Sequence, residues 1–223
     1  MTDLQRLTVV KAITDIGLIP VFHHGDIEVA KAIVRACVDG GARVVEYTNR
    51  GSRASDVFSE LSEWRDDELP RCILGAGTIM DPETAATYIN GGADYIVGPT
   101  LNHETALTCN RRKVLYIPGC QTPTEITEAE RLGAEIIKLF PASVATPKFI
   151  KAVHGPMPHS RLMPSGGVKY DRDGIAEWIE AGAVALNMGS DLIRRDLVAE
   201  GRYPEIRDRV RQCLAWIGEA REG

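Results

Sequence analysis

The residue in this chain best placed to do chemistry is Lys138, set in the apolar run Glu135-Ile136-Ile137-Lys138-Leu139-Phe140-Pro141. In a strand, side chains alternate between faces, so Lys138 goes with Ile136 and Phe140 while Ile137 and Leu139 take the other side. If both faces are covered, as in parallel sheets, the amine lies where its charged form is poorly solvated. A neutral amine is a nucleophile, which makes covalent chemistry the sharper expectation and a solvated edge lysine the plainer one. Glu46 lies in Arg43-Val44-Val45-Glu46-Tyr47-Thr48-Asn49 and shares a face with Val44 and Thr48. Turned inward alone, its carboxylate would be costly, and a lysine on the opposite wall would offset that cost. The two fit a general acid/base and an amine nucleophile or, on the plainer and weaker reading, an ion pair of purely structural purpose. Arg50, just past the strand end, can grip a carboxylate with two parallel hydrogen bonds, and Thr78 can offer a hydroxyl to the same ligand. Singly, they would serve as a surface arginine and a helix cap. Ser165-Gly166-Gly167 and Gly189-Ser190 supply glycines whose backbone N–H groups can approach an anion, each ahead of a helix, although tight turns use the same glycines.

The elements that must hold these residues alternate from the start. Leu4, Leu7, Val10 and Ile13 to Ile16 predict an amphipathic opening helix that ends near Gly17, and Leu18 to Phe22 a buried strand. Asp26 can cap a helix closed by Gly40-Gly41. Six further strands are expected at 43–49, 72–78, 95–99, 114–119, 135–141 and 161–167, and an eighth at 183–190. Helices are expected between them at Ser52 to Trp64, from Asp81-Pro82 to Gly91, from Asn102 to Asn110, from Thr122 to Leu132, at Pro147 to Val153 and at Asp171 to Ala181. Helix is also expected from Asp191 onward and over Tyr203 to Ala220, with Asp66-Asp67-Glu68 as a solvated acidic corner. Eight strand–helix units with short loops predict an α/β fold, a (β/α)8 TIM barrel with an extra N-terminal helix, as a single domain over residues 1–223. An open doubly wound sheet is the competing architecture. No GxGxxG follows the first strand, and Gly75-Ala76-Gly77-Thr78 lacks the third glycine. In a barrel the active site lies at the carboxyl ends of the strands, where these polar residues fall.

Composition narrows the partners. With 26 Lys and Arg against 31 Asp and Glu, the net charge of −5 argues against nucleic acid. No apolar run approaches the roughly 20 residues that span a bilayer, and Met1 to Arg6 lacks a basic-then-apolar signal pattern, so a cytoplasmic location is expected. The 5 cysteines are scattered without a CxxC pair, which argues against a disulfide framework or a thiolate zinc site.

Five motifs then stand in register: Val45-Glu46-Tyr47-Thr48-Asn49-Arg50, Gly75-Ala76-Gly77-Thr78, Ile117-Pro118-Gly119 with Thr122-Pro123, Ile137-Lys138-Leu139-Phe140-Pro141-Ala142, and Pro164-Ser165-Gly166-Gly167-Val168. With them the chain resembles, over nearly its whole length, the 2-keto-3-deoxy-6-phosphogluconate (KDPG) and 4-hydroxy-2-oxoglutarate (KHG) aldolases. The resemblance implies a class I lyase without metal or other cofactor, usually a homotrimer, that releases pyruvate from a small 2-keto acid. It implies Lys138 as the Schiff-base amine, Glu46 as the proton carrier, Arg50 and Thr78 as the carboxylate clamp with Ser165 close by, and Phe140 as an apolar wall. Gly166, Gly167, Gly189 and Ser190 correspond to the phosphate loop.

The chain departs from that pattern at the substrate's far end. His23-His24 stands where many relatives have an arginine, Asp191 replaces a neutral residue beside the phosphate loop, and Ser165 stands where threonine is common. The aldehyde half is therefore open between glyceraldehyde 3-phosphate, glyoxylate and another aldehyde, the 6-phosphogalactonate epimer of the substrate included. A metal-dependent class II aldolase or epimerase would need converging ligands, and His23, His24, His103, His154 and His159 form no HxH or HExxH pattern. A non-enzymatic 2-keto-acid-binding barrel is the other alternative. Cys120, beside Gly119, is expected as a buried thiol near the pocket.

Overall fold

The computed structural model describes residues 6–222. Helix α1 (Arg6–Ile16) precedes strand β1 (Leu18–Phe22), and Gly17 between them takes a left-handed φ of 72° that reverses the chain. Leu4, expected in the opening helix, lies outside the described residues. There follow α2 (Ile27–Asp39), β2 (Val44–Thr48), α3 (Ala54–Glu68), β3 (Ile73–Gly77), α4 (Pro82–Asn90), β4 (Tyr95–Val97) and α5 (His103–Arg112). The second half comprises β5 (Leu115–Ile117), β6 (Gly119–Cys120), α6 (Pro123–Arg131), β7 (Ile137–Leu139), α7 (Pro147–His154), β8 (Leu162–Pro164) and α8 (Arg172–Glu180). It ends with β9 (Leu186–Met188), α9 (Arg195–Ala199) and α10 (Tyr203–Glu222).

All strand pairs are parallel, in a six-stranded sheet ordered β5-β4-β3-β2-β1-β9 and a three-stranded sheet ordered β6-β7-β8. The predicted fifth strand is thus divided at Pro118, which has no N–H to donate to a ladder. The Pro118 carbonyl still accepts from Lys138 N at 2.9 Å. Between β8 and β9, Val184 N donates to Leu162 O at 2.9 Å, and Ser165 and Asn187 form a parallel bridge.

The helices begin where the sequence supplies caps. Asp26, Asp81, Asn102 and Asp171 accept backbone N–H groups of the first turns of α2, α4, α5 and α8, and Thr122 with Glu125 closes a capping box on α6. Two boundaries correct the sequence reading. Helix α3 runs on through the acidic corner to Glu68, because Arg65 anchors its last turns inside the protein. Arg65 is 1% exposed, donates to the carbonyls of Cys72 and Gly92, and pairs with Asp94 and Asp66. Residues 191–194 are not helical: Leu192 N and Ile193 N both return to Gly189 O at 2.9 Å, and helix resumes only at α9.

Alternation along the strands divides the core in two. Leu18, Val45, Tyr47, Leu74, Ile137, Leu139 and Leu162 pack against the surrounding helices, including Ala30, Ile33 and Phe58. Ile19, Val44, Ile73, Tyr95, Leu115, Ile136, Met163 and Ala185 face the other way, against Val9, Val10, Ala12 and Ile13 of α1. At about 1.5–3 kcal/mol for each fully buried large aliphatic side chain, α1 is held by that second cluster rather than by its own propensity.

Candidate active site

Continuing along that second face to the carboxyl ends of the strands, the side chains become polar and line a cavity of about 670 Å³. Strand β2 places Glu46 two residues beyond Val44, and β7 places Lys138 two residues beyond Ile136, as the alternation predicted. Arg50 and Thr78 reach the cavity from the loops after β2 and β3, and Phe140 from the end of β7. Ser165, Gly166 and Gly167 after β8, and Gly189 and Ser190 after β9, complete the expected set, every member of which lines this one cavity.

Glu46 is fully buried and Lys138 is 7% exposed. Among the described residues no ion pair joins them within 4.0 Å, so the purely structural pair that the sequence allowed is not formed. The Lys138 Nζ lies 5.2 Å from the centroid of the Phe140 ring, an apolar neighbour that offers the amine no hydrogen-bond acceptor. Glu46 Oε2 accepts from Asn187 Nδ2 at 2.8 Å, whereas Oε1 is buried without a hydrogen-bond partner among the described residues. A carboxylate held on one oxygen and bare on the other is available for proton transfer.

The glycines of Gly75-Ala76-Gly77 make room for the site. A Cβ on Gly77 would come within 1.8 Å of Glu46 Oε1, and one on Gly75 within 2.2 Å of the Tyr95 ring. Tyr95 donates to Val45 O at 3.0 Å, and burial, with the Glu46 charge adding to it, raises its phenol well above the usual range. Thr78 has a φ of 63°, a left-handed conformation that costs a β-branched residue about 1–3 kcal/mol. Hydrogen bonds on either side hold it there, from Asn49 N to Gly77 O at 2.8 Å and from Ile79 N to Val97 O at 3.1 Å. Gly166 and Gly167 have φ of 75° and 109°, and a Cβ on either would strike Phe140 or Ser143 within 2.8 Å.

The far end of the cavity is lined by His23, His24, Asp191 and Arg195. His23 Nδ1 meets Thr48 O at 3.1 Å; a carbonyl only accepts, so Nδ1 carries the proton and Nε2 of the neutral ring is an acceptor. Burial lowers the His23 pKa, with the Arg50 charge adding to the effect against the hydrogen bond to Thr48. Arg209 donates to the carbonyls of Asp191 and Leu192 and stacks on Tyr170 at 3.7 Å, tying the turn that follows Ser190 to α10. Cys120 is buried and does not line the cavity, and burial pushes its thiol up to about 12. Among the described residues no three His, Cys, Asp or Glu side chains are grouped to hold a metal ion.

The sequence reading missed Arg195 and, nearer the chemistry, Asn187, which is 1% exposed. The signal for Asn187 was present: in 183–190 its amide falls on the inward side of the strand, and a buried amide must have partners.

Parallel strands that end in a cavity lined by a buried amine, a half-bonded carboxylate, an arginine and glycine loops have the groups that Schiff-base chemistry on a small acid needs. The comparisons agree. Residues 9–209 match the family described as KDPG and KHG aldolase, and the chain belongs to that family of aldolases, which are lyases. It is 28% identical over 213 residues to a 2-dehydro-3-deoxy-phosphogluconate aldolase of Treponema pallidum, covering 95% of this chain and 99% of that one. It is 31% identical over 187 residues to the Pseudomonas aeruginosa enzyme of the same name, covering 83% and 82%. The crystal structure of a KDPG aldolase from Legionella pneumophila, with pyruvate captured as a covalent carbinolamine, superposes with a TM-score of 0.82 at 21% identity, over 91% of this chain and 96% of that one.

Proposed function

We propose that this chain cleaves a 2-keto-4-hydroxy acid by a class I mechanism, taking 2-keto-3-deoxy-6-phosphogluconate to pyruvate and glyceraldehyde 3-phosphate, or 4-hydroxy-2-oxoglutarate to pyruvate and glyoxylate. The observation that carries this reading is the cavity that brings Lys138, Glu46, Arg50 and Thr78 together. Lys138 attacks the C2 carbonyl, and loss of water from the carbinolamine leaves an iminium. Glu46 takes the proton of the C4 hydroxyl, directly or through water. The C3–C4 bond then breaks, its electron pair passes into the iminium to give an enamine, and the aldehyde departs. Return of the proton to C3 and hydrolysis release pyruvate and the free amine. Arg50 and Thr78 hold the keto acid's carboxylate with Ser165 beside it, and Phe140 keeps water from the amine. Gly166, Gly167, Gly189 and Ser190 receive a phosphate where the substrate has one, weakened by the Asp191 carboxylate beside them.

The same reading takes residues 1–223 as one (β/α)8 barrel with α1 as the additional helix. It is supported by counting β5 and β6 as one strand broken at Pro118 and by the Val184–Leu162 and Ser165–Asn187 links beside β8. It further takes the protein as a cytoplasmic homotrimer acting on a small molecule. Among the described residues no helix is long and apolar enough to cross a membrane.

Borohydride reduction in the presence of pyruvate tests the mechanism: the mass of reduced pyruvate is expected on Lys138, and an unmodified lysine refutes it. Comparison of kcat/KM on phosphorylated and unphosphorylated 2-keto-4-hydroxy acids tests the far end. Equal values would remove Gly166, Gly167, Gly189 and Ser190 from a phosphate role.

A further inference from the structure

Asn187 has no part in the mechanism above, yet each of its two hydrogen bonds ends on a residue that does. Ser165 Oγ donates to Asn187 Oδ1 at 2.5 Å, and Asn187 Nδ2 donates to Glu46 Oε2 at 2.8 Å. The orientation of the amide follows from chemistry: an ionised carboxylate only accepts, so the nitrogen faces Glu46 and the oxygen faces the hydroxyl. Oε2 of Glu46 is thereby occupied, and Oε1 is left buried and unpartnered among the described residues, in the space that a side chain at Gly77 would take. The hydroxyl proton of Ser165 is occupied as well, so its oxygen meets the cavity as an acceptor.

We propose that Asn187 is a positioning residue that makes Oε1 of Glu46 the oxygen that exchanges protons with the bound substrate and turns Ser165 into an acceptor. The proposal rests on the aldolase reading of the site. In the step concerned, a C3–H bond of the pyruvate iminium breaks and its electron pair becomes the C2–C3 double bond of the enamine. The C2–N π pair moves to nitrogen, and the proton goes to Oε1, directly or through one water. The reverse step returns it. A carboxylate free to turn would present either oxygen at a variable angle, whereas one held by a fully packed amide presents a single oxygen in a single direction. A serine whose proton is committed cannot donate to the substrate carboxylate. It meets the substrate only as an acceptor, which leaves the carboxylate to Arg50 and Thr78.

The two half-reactions separate positioning from structure. Asn187→Leu removes the amide at similar size, and Asn187→Val removes it with a smaller side chain. Both variants are expected to form the borohydride-trapped pyruvate adduct at Lys138 to the wild-type extent. Both are expected to exchange the pyruvate methyl protons with D₂O roughly tenfold to a hundredfold more slowly, followed by NMR. Wild-type exchange in either variant overturns the proposal, and so does a parallel loss of trapping and exchange in both, which would mark Asn187 as structural. A wild-type protein that traps no pyruvate overturns the aldolase reading itself, and this proposal with it.

Discussion

Two regions on the same face of the strands differ in almost every respect although they are a single pleat apart. Toward the amino ends of the strands the face carries Val44, Ile136, Met163 and Ala185, sealed under α1. Two residues further along each strand, about 7 Å away, it carries Glu46, Lys138, Ser165 and Asn187, all buried and all polar. Adjacent positions on one face of the same strands thus carry opposite demands. The α1 end is closed by side chains that need no partners. Among the described residues, the cavity end keeps a carboxylate with one bare oxygen, a lysine without an ion pair and a threonine in a left-handed conformation. The apolar end stabilises the fold, and the polar end draws on that stability to hold groups in states that folding alone would not select.

Substitutions at the two ends should therefore separate activity from stability. Glu46→Gln keeps the shape and removes the buried charge. Turnover is expected to fall by about 10²- to 10⁴-fold with KM little changed. The denaturation midpoint should hold or rise, and a fall in it would mean that the charge had been stabilising. Ile13→Ala, at a fully buried position of α1, acts in the opposite sense. It should cost about 2–5 kcal/mol in chemical denaturation and leave kcat per folded molecule unchanged. A matching loss of kcat would couple the two ends and break the contrast.

The apolar end was the more legible in sequence, because a period of two in large aliphatic residues has one physical reading. Lys138 and Glu46 were legible for the converse reason, as charges in strands otherwise built for burial. Pro118 stood in the predicted fifth strand, and its missing N–H announced the break between β5 and β6, but the alternation around it read through. Arg65 was hidden in an acidic run, where a charged residue passes for surface until its partners from Cys72 to Asp94 are assembled in space. Asn187 was hidden differently: its residue type is unremarkable in a strand, and only Ser165 and Glu46, from two other strands, show why an amide is there.

The smallest expected effect lies on the rim of the cavity end, where polar residues serve structure rather than chemistry. Asp81 accepts from Thr84 N at 2.7 Å and from Thr84 Oγ1 at 2.9 Å, and these bonds lower its pKa below the ordinary 3.8. The folded state therefore binds this proton less readily than the unfolded state. The stabilisation is fully present above pH 3.8 and is lost as pH falls through the lowered folded value. Asp81→Ala should cost about 1 kcal/mol at neutral pH, with kcat unchanged, because the side chain caps α4 and does not line the cavity. Denaturant titrations of both proteins at a series of pH values should show their difference shrinking only in the acid range. A difference that persists unchanged below that range would assign the loss to packing instead of to the ionised cap.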